Sequence, residues 1–151
     1  FRSPANNEYL IFVGASTADE PNDFEKELQL KISAHPKAKQ VIWAGFKEEV
    51  DEIYAAADLV IMAAAFETFG MTTLEALRAK CPVVGANNGG TAELINLYNG
   101  GCLFDYRSKP SLNAAINRIF TEEFQTVKSE QIKQHFNFNS VCLRIENEVL
   151  Q

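Results

Sequence analysis

Hydrophobic positions along the chain alternate between short continuous runs ending in glycine and longer stretches with helical spacing. Tyr9-Leu-Ile-Phe-Val13 is apolar and stops at Gly14, which predicts a buried strand. Residues 15–22 are polar and contain Pro21, as a loop does. Phe24, Leu28 and Ile32 recur every fourth residue and predict a helix of about three turns, closed by Pro36. Residues 40–44 before Gly45 predict a second strand. Val50, Ile53, Tyr54 and Ala57 predict a helix over 48–57. Residues 59–64 are apolar at every position, the pattern of a strand covered on both faces in a parallel sheet.

The second half continues in the same rhythm. A loop over 66–70 leads into a helix over 72–80, then a strand over 81–84 with Pro82 at its start, where proline is tolerated. A turn at Asn87-Asn88-Gly89-Gly90 precedes a helix over 91–98, and a short strand follows over 102–104. Ser111 can cap a helix carrying Leu112, Ala115, Ile116 and Ile119 on one face. Two further helical stretches lie at about 123–135 and 140–150. Strands alternating with helices imply βαβ units with right-handed crossovers. The expected fold is an α/β, doubly wound, Rossmann-like parallel sheet of about five strands with helices on both faces. Residues 1–151 are expected to form a single domain, without internal linker, repeat or low-complexity tract.

Composition narrows the function classes. The chain has 151 residues, 46% hydrophobic and 23% charged, ordinary for a globular domain. Lys plus Arg total 14 against 20 Asp plus Glu, a net charge of −6. That balance argues against a general nucleic-acid binder, which needs cations to displace counterions. It leaves room for a small anionic ligand held by backbone amides. The longest apolar run, 59–66, is far short of the ~20 residues of a membrane helix. Cys81, Cys102 and Cys142 are odd in number and widely spaced, which predicts buried thiols in a reducing compartment. The chain starts at Phe1 without Met, so it reads as a fragment.

In a doubly wound sheet the ligand sits outside the carboxyl ends of the strands. The loop 65–70 follows a fully apolar strand and leads into a helix. Gly70 at the junction permits close backbone approach. Met71, Thr72 and Thr73 then offer N–H groups at a helix N-terminus, which suits a phosphate. The residues alone read first as an ordinary βα turn with Thr72 as cap. Glu67 and Glu75 are eight residues apart, about 12 Å of rise and about 80° of rotation on one helix, too far for an acid–base pair. With the helix starting after Gly70, Glu67 stands on the loop and Glu75 about one turn inside. Both can then border one crevice, or be solvated charges. Gly89 and Gly90 before Thr91 form a second candidate anion loop. Trp43 and Phe46 flank a strand end and read as core residues rather than a stacking platform. His35 and His135 lack metal-ligand spacing, and no metal site is expected.

Glu67-Thr-Phe-Gly-Met-Thr-Thr-Leu-Glu75-Ala76 resembles the E-x7-E signature of the group 1, or family 4, nucleotide-sugar glycosyltransferases. The flanking segments 50–60, 81–85, 89–95 and 99–104 come in that family's order, and the resemblance covers about residues 8 to 150. It implies half of a GT-B architecture, the C-terminal domain that binds the donor. It implies that Glu75 binds ribose hydroxyls and that Glu67, taken as the catalytic-site residue, faces the donor sugar. The amides of Phe69, Gly70, Met71, Thr72 and Thr73 are implied to hold the diphosphate and sugar, with Phe46 and Lys47 by the base. The partner is a nucleotide-diphosphate sugar, with no further cofactor, no metal and no nucleic acid. The implied reaction is transfer of the sugar to an acceptor hydroxyl with retention, as in polysaccharide, lipopolysaccharide or glycolipid synthesis.

The resemblance has departures. The family opens this domain with a Gly-Arg…Lys-Gly element, whereas Gly14 is followed by Ala15-Ser16. Residues 9–14 align better with the family's second strand, which puts the Arg/Lys element and the acceptor-side N-terminal domain upstream of Phe1. Ala64 stands where many members have Ser, and Lys80 where most have Gly. The parent is then expected to be a cytoplasmic enzyme, or one at the inner membrane face through its other half, and the piece alone inactive. The alternative is a non-catalytic nucleotide-sugar-binding or assembly domain of the same fold. A sugar-nucleotide epimerase fits the Glu67 motif poorly, and a flavodoxin-like regulatory module lacks an acidic residue at a strand end.

Overall fold

The computed structural model describes residues 8–14, 21–122, 129–137 and 139. The chain divides into two compact units, with the boundary at Val50/Asp51.

The first unit contains β1 (Leu10–Val13), α1 (Asp23–Ser33), a 3₁₀ turn (Ala38–Gln40) and β2 (Val41–Gly45). The strands pair in parallel, with Leu10 opposite Val41 and Phe12 opposite Trp43. Helix α1 begins at a capping box. The Asn22 side chain accepts from the Glu25 N–H, and the Glu25 carboxylate accepts from the Asn22 N–H, both at 2.9 Å. A cap of this kind is worth about 1 kcal/mol.

Two expectations need correction here. Leu10, Ile11 and Val13 are exposed rather than buried. Trp43 and Phe46 are not core residues. Trp43 stacks on Phe12 with ring centroids 4.5 Å apart and remains partly exposed. Phe46 is 71% exposed, because Gly45, at φ +65°, ends the strand just before it.

The second unit contains α2 (Asp51–Ala56), β3 (Val60–Met62), α3 (Met71–Arg78), β4 (Val83–Ala86), α4 (Gly89–Tyr98), β5 (Gly101–Phe104), α5 (Lys109–Thr121) and α6 (Ser129–Phe136). Its sheet runs β3-β4-β5, parallel throughout. All four residues of the central strand β4 are buried. Alternation along β4 separates two cores. Val83 joins Leu77, Leu94, Ile95 and Ile132, drawn from α3, α4 and α6. Val84 and Ala86 join Cys102, Phe104, Ala115, Ile116 and Ile119, closed by α5. Helices therefore cover both faces, as expected. The five expected strands are all present and all ladders are parallel, one pair in the first unit and one triple in the second.

Several boundaries differ from the sequence reading. Strand β4 starts at Val83 rather than Cys81. Proline has no N–H for the ladder, and the Cys81 N–H instead closes α3 by donating to Ala76 O at 2.9 Å. Lys80 makes that turn at φ +65°, a left-handed conformation that favours glycine. Helix α5 is capped by Ser108, whose hydroxyl accepts from the Ser111 N–H at 3.3 Å. Ser111, expected to be the cap, accepts from the Asp105 N–H. Helix α2 starts three residues later than expected, at Asp51, and β3 is shorter. The stretches 123–128 and 140–151 lie outside the described residues, Cys142 with them. Cys81 and Cys102 are buried free thiols, and burial pushes the Cys81 thiol up to about 11, with Asp58 acting the same way.

Candidate functional site

The segments after β3 and β4 dock onto each other at the carboxyl ends of those strands. Gly70 is the N-cap of α3 at φ +87°, and no side chain caps this helix. The first bond of the helix runs from the Leu74 N–H to Gly70 O at 2.9 Å. The N–H groups of Met71, Thr72 and Thr73 precede it and have no acceptor within the helix. Thr72 is therefore not the cap. Behind the helix start, the Gly70 N–H donates to the Glu67 carboxylate at 3.2 Å. Glu67 is half-buried on the loop, and Phe69 packs edge-on against Phe136 at 5.5 Å.

In the candidate anion loop at Gly89 and Gly90, one of the two glycine amides already has a partner. The glycines are the first two residues of α4. The Gly90 N–H is already used, donating to the Glu67 main-chain oxygen at 2.9 Å. A Cβ on Gly90 would lie 2.2 Å from Phe69 O, and one on Gly89 would lie 1.9 Å from Glu67 O. These glycines let one backbone press on another. Below them the Thr73 and Thr91 hydroxyls share a buried hydrogen bond of 2.9 Å. The Thr73 side chain thus serves the interior, and Thr73 as a whole is fully buried.

Glu75 lies one turn inside α3, as expected, and is half-buried. Its Oε2 accepts a hydrogen bond from the Tyr54 hydroxyl of α2 at 3.1 Å. Burial, then the neighbouring Glu75 carboxylate, push the Tyr54 hydroxyl up to about 12, so it is a proton donor at neutral pH. Glu75 also lines a groove of about 430 Å³ between α3 and α6, with Met71, Leu74, Arg78, Ile132 and Phe136.

The structure thus brings Glu67, Phe69, Gly70 and Thr73 together with Gly89, Gly90 and Thr91. Phe46 and Lys47 belong to the first unit, both exposed on the loop after β2. Two polar partners were not anticipated. Tyr54 counted in the sequence only as an apolar position of α2, and Thr91 only as a helix start. The one hint was that Tyr54 alone on that helix face ends in a hydroxyl. Among the described residues, no three His, Cys, Asp or Glu side chains cluster as a metal site. Nor is any described helix long and apolar enough to cross a membrane.

Known proteins share this arrangement of elements. The family model described as glycosyl transferases group 1 matches residues 3–135. Mannosylfructose-phosphate synthase of Agrobacterium fabrum is 25% identical over 124 residues, which are 81% of this chain and 27% of that protein. The structure of Anabaena HepE in complex with UDP-glucose superposes with a TM-score of 0.75 at 28% identity, covering 94% of this chain and 40% of that one. The C-terminal domain of a group 1 family protein from Francisella tularensis superposes with a TM-score of 0.52 at 28% identity, covering 85% of this chain and 64% of that one. The chain spans less than half the length of the first two.

Proposed function

This chain belongs to the group 1 glycosyl transferases, and from that membership we propose that it is the donor-binding half of a retaining enzyme. The enzyme moves a sugar from a nucleoside-diphosphate sugar to an acceptor hydroxyl, in polysaccharide, lipopolysaccharide or glycolipid synthesis. The observation that carries this reading is the start of α3. Gly70 turns the chain left-handed, no side chain caps the helix end with a hydrogen bond, and the amides of Met71, Thr72 and Thr73 precede the first helical bond. A helix N-terminus carries roughly half a positive charge. Held rigidly, such donors stabilise the negative charge that grows on a departing diphosphate. The reading therefore asks for no metal.

Glu67 stands on the loop at the N-terminal side of these amides and receives the sugar hydroxyls. Glu75, one turn inside the helix, accepts from the ribose hydroxyls. Gly89 and Gly90 brace the loop from behind rather than bind the ligand. The family match runs through both compact units, which supports one donor-binding domain. The acceptor side, with any attachment to the inner face of a membrane, belongs to an N-terminal domain of the parent protein.

Titration calorimetry of this chain with UDP, GDP and ADP tests the reading. The expected result is binding of one of them at about tens of micromolar or weaker, a free energy of about −6 kcal/mol. No heat with any of the three at millimolar ligand overturns it.

A further inference from the structure

The hydrogen bond between Tyr54 and Glu75 is used by nothing described so far. We infer that Tyr54 is the positioning residue for the ribose-binding carboxylate: its hydroxyl holds Glu75 Oε2 and leaves Oε1 aimed at the nucleotide. The inference rests on the ribose role proposed for Glu75.

The geometry supports it in three ways. Glu75 is half-buried on α3, and a glutamate has three side-chain torsions to fix before it can meet a diol in one pose. The bond at 3.1 Å engages Oε2 alone. Tyr54 is a stiff anchor. Its ring packs against the cluster containing Ala76, Leu77 and Val83, and only two torsions place its hydroxyl. The raised pKa of that hydroxyl keeps its proton in place at neutral pH, so it donates to the carboxylate throughout.

A plain structural clip between α2 and α3 is the competing account. The helices have a second link of that kind, the Arg78–Asp51 ion pair at 2.6 Å, exposed on both sides. The two accounts differ in what happens to ribose recognition. The test measures UDP and 2′-deoxy-UDP affinity, and thermal stability, for the wild-type chain and for Tyr54→Phe, Glu75→Gln, the double variant and Asp51→Ala. GDP and ADP with their 2′-deoxy forms replace the uridine pair if they bind instead.

Tyr54→Phe keeps the ring and is expected to weaken UDP about three- to tenfold. It should weaken 2′-deoxy-UDP less, so that discrimination for the 2′-hydroxyl shrinks. The Tyr54→Phe loss should vanish in the Glu75→Gln background, because the hydroxyl acts through that carboxylate. Asp51→Ala should leave the discrimination as it is. Equal losses for both nucleotides, no loss, additive losses in the double variant, or the same change in Asp51→Ala each overturn the inference and leave the donor site standing. If Tyr54→Phe does not fold, the wild-type ratio of UDP to 2′-deoxy-UDP and its change in Glu75→Gln decide: a ratio unaffected by Glu75→Gln overturns it. A wild-type chain that binds none of the nucleotides overturns the donor site itself, and the inference with it.

Discussion

Helices α3 and α4 start alike. Each follows a parallel strand, each has glycine at its start, as N-cap in α3 and in the first turn of α4, and neither has a side-chain cap. In the structure their glycines are used differently. At α3 the left-handed Gly70 leaves three amides ahead of the first helical bond. At α4 the Gly90 amide is spent on Glu67 O, and the glycines carry backbone-to-backbone contact. Glycine at a helix start is thus ambiguous. It can open a backbone to a ligand or let a second backbone come close, and only the neighbouring chain decides which. Glu67 is the hinge of the comparison, since its carboxylate serves the Gly70 amide and its carbonyl serves the Gly90 amide.

The largest effect should come from filling the closed start. In Gly90→Ala the new Cβ meets Phe69 O at 2.2 Å and Phe69 C at 2.4 Å, both backbone atoms that cannot rotate away. The loop must separate from α4 and lose the Gly90–Glu67 bond. Urea unfolding should show a loss of about 3 kcal/mol or more. A variant within about 1 kcal/mol of wild type would show that α4 does not brace the loop, and the contrast between the two starts would collapse.

The open start is tested through its ligand. Glu75→Gln should weaken the nucleoside diphosphate by about 1.5–3 kcal/mol, roughly 10- to 150-fold, by removing charged hydrogen bonds to the ribose. Thermal stability should change little, because Glu75 is only half-buried. Calorimetry with an unchanged dissociation constant leaves Glu75 as a tie to α2 and removes the ribose assignment.

The signal in the sequence was strongest where local pattern decides structure. A strand near 81–84, the glycine before α3 and the apolar face of α5 were legible, because apolar runs, helix entry and amphipathicity are properties of neighbours in the chain, although that strand proved to run from Val83 to Ala86. The capping box at Asn22 and Glu25 has a readable spacing as well, although it sharpens only the start of α1. What could not be read depends on distant segments. Tyr54 meets Glu75 across 21 positions and Thr73 meets Thr91 across 18, and no periodicity announces either bond. Strand β1 shows the converse. Its apolar run is as continuous as that of β4, yet its side chains are exposed, since composition reports what a strand can bury and not what covers it.

A smaller effect separates strain from collision. Gly70→Ala places a Cβ 3.1 Å from the Thr91 N and 3.2 Å from Leu94 Cδ1, distances at which neighbours give way by tenths of an ångström. The left-handed φ of +87° is the main obstacle. The cost should be about 1–2 kcal/mol in urea unfolding, below that of Gly90→Ala. The reverse order of the two variants would mean that the helix start at Gly70, not the one at Gly90, is where the segments are packed hardest.

The smallest change is Glu67→Gln, and it divides the two functions of that residue. Glutamine keeps Oε1 as an acceptor for the Gly70 amide, and the main-chain carbonyl still serves Gly90, so neither helix start should move. Only the charge is lost. The proposed partner of that charge is the donor sugar, so affinity for a bare nucleoside diphosphate should stay within about twofold of wild type, below the net value of one neutral hydrogen bond. The intact sugar nucleotide should weaken by about 1 kcal/mol, roughly fivefold. Calorimetry with UDP and UDP-glucose side by side reads the difference, with the GDP or ADP pair substituted if one of those binds. Equal weakening of both ligands would mean that the carboxylate charge acts on the diphosphate through the amides of α3. Glu67 would then belong to the phosphate site, and the sugar would have to be held by other residues.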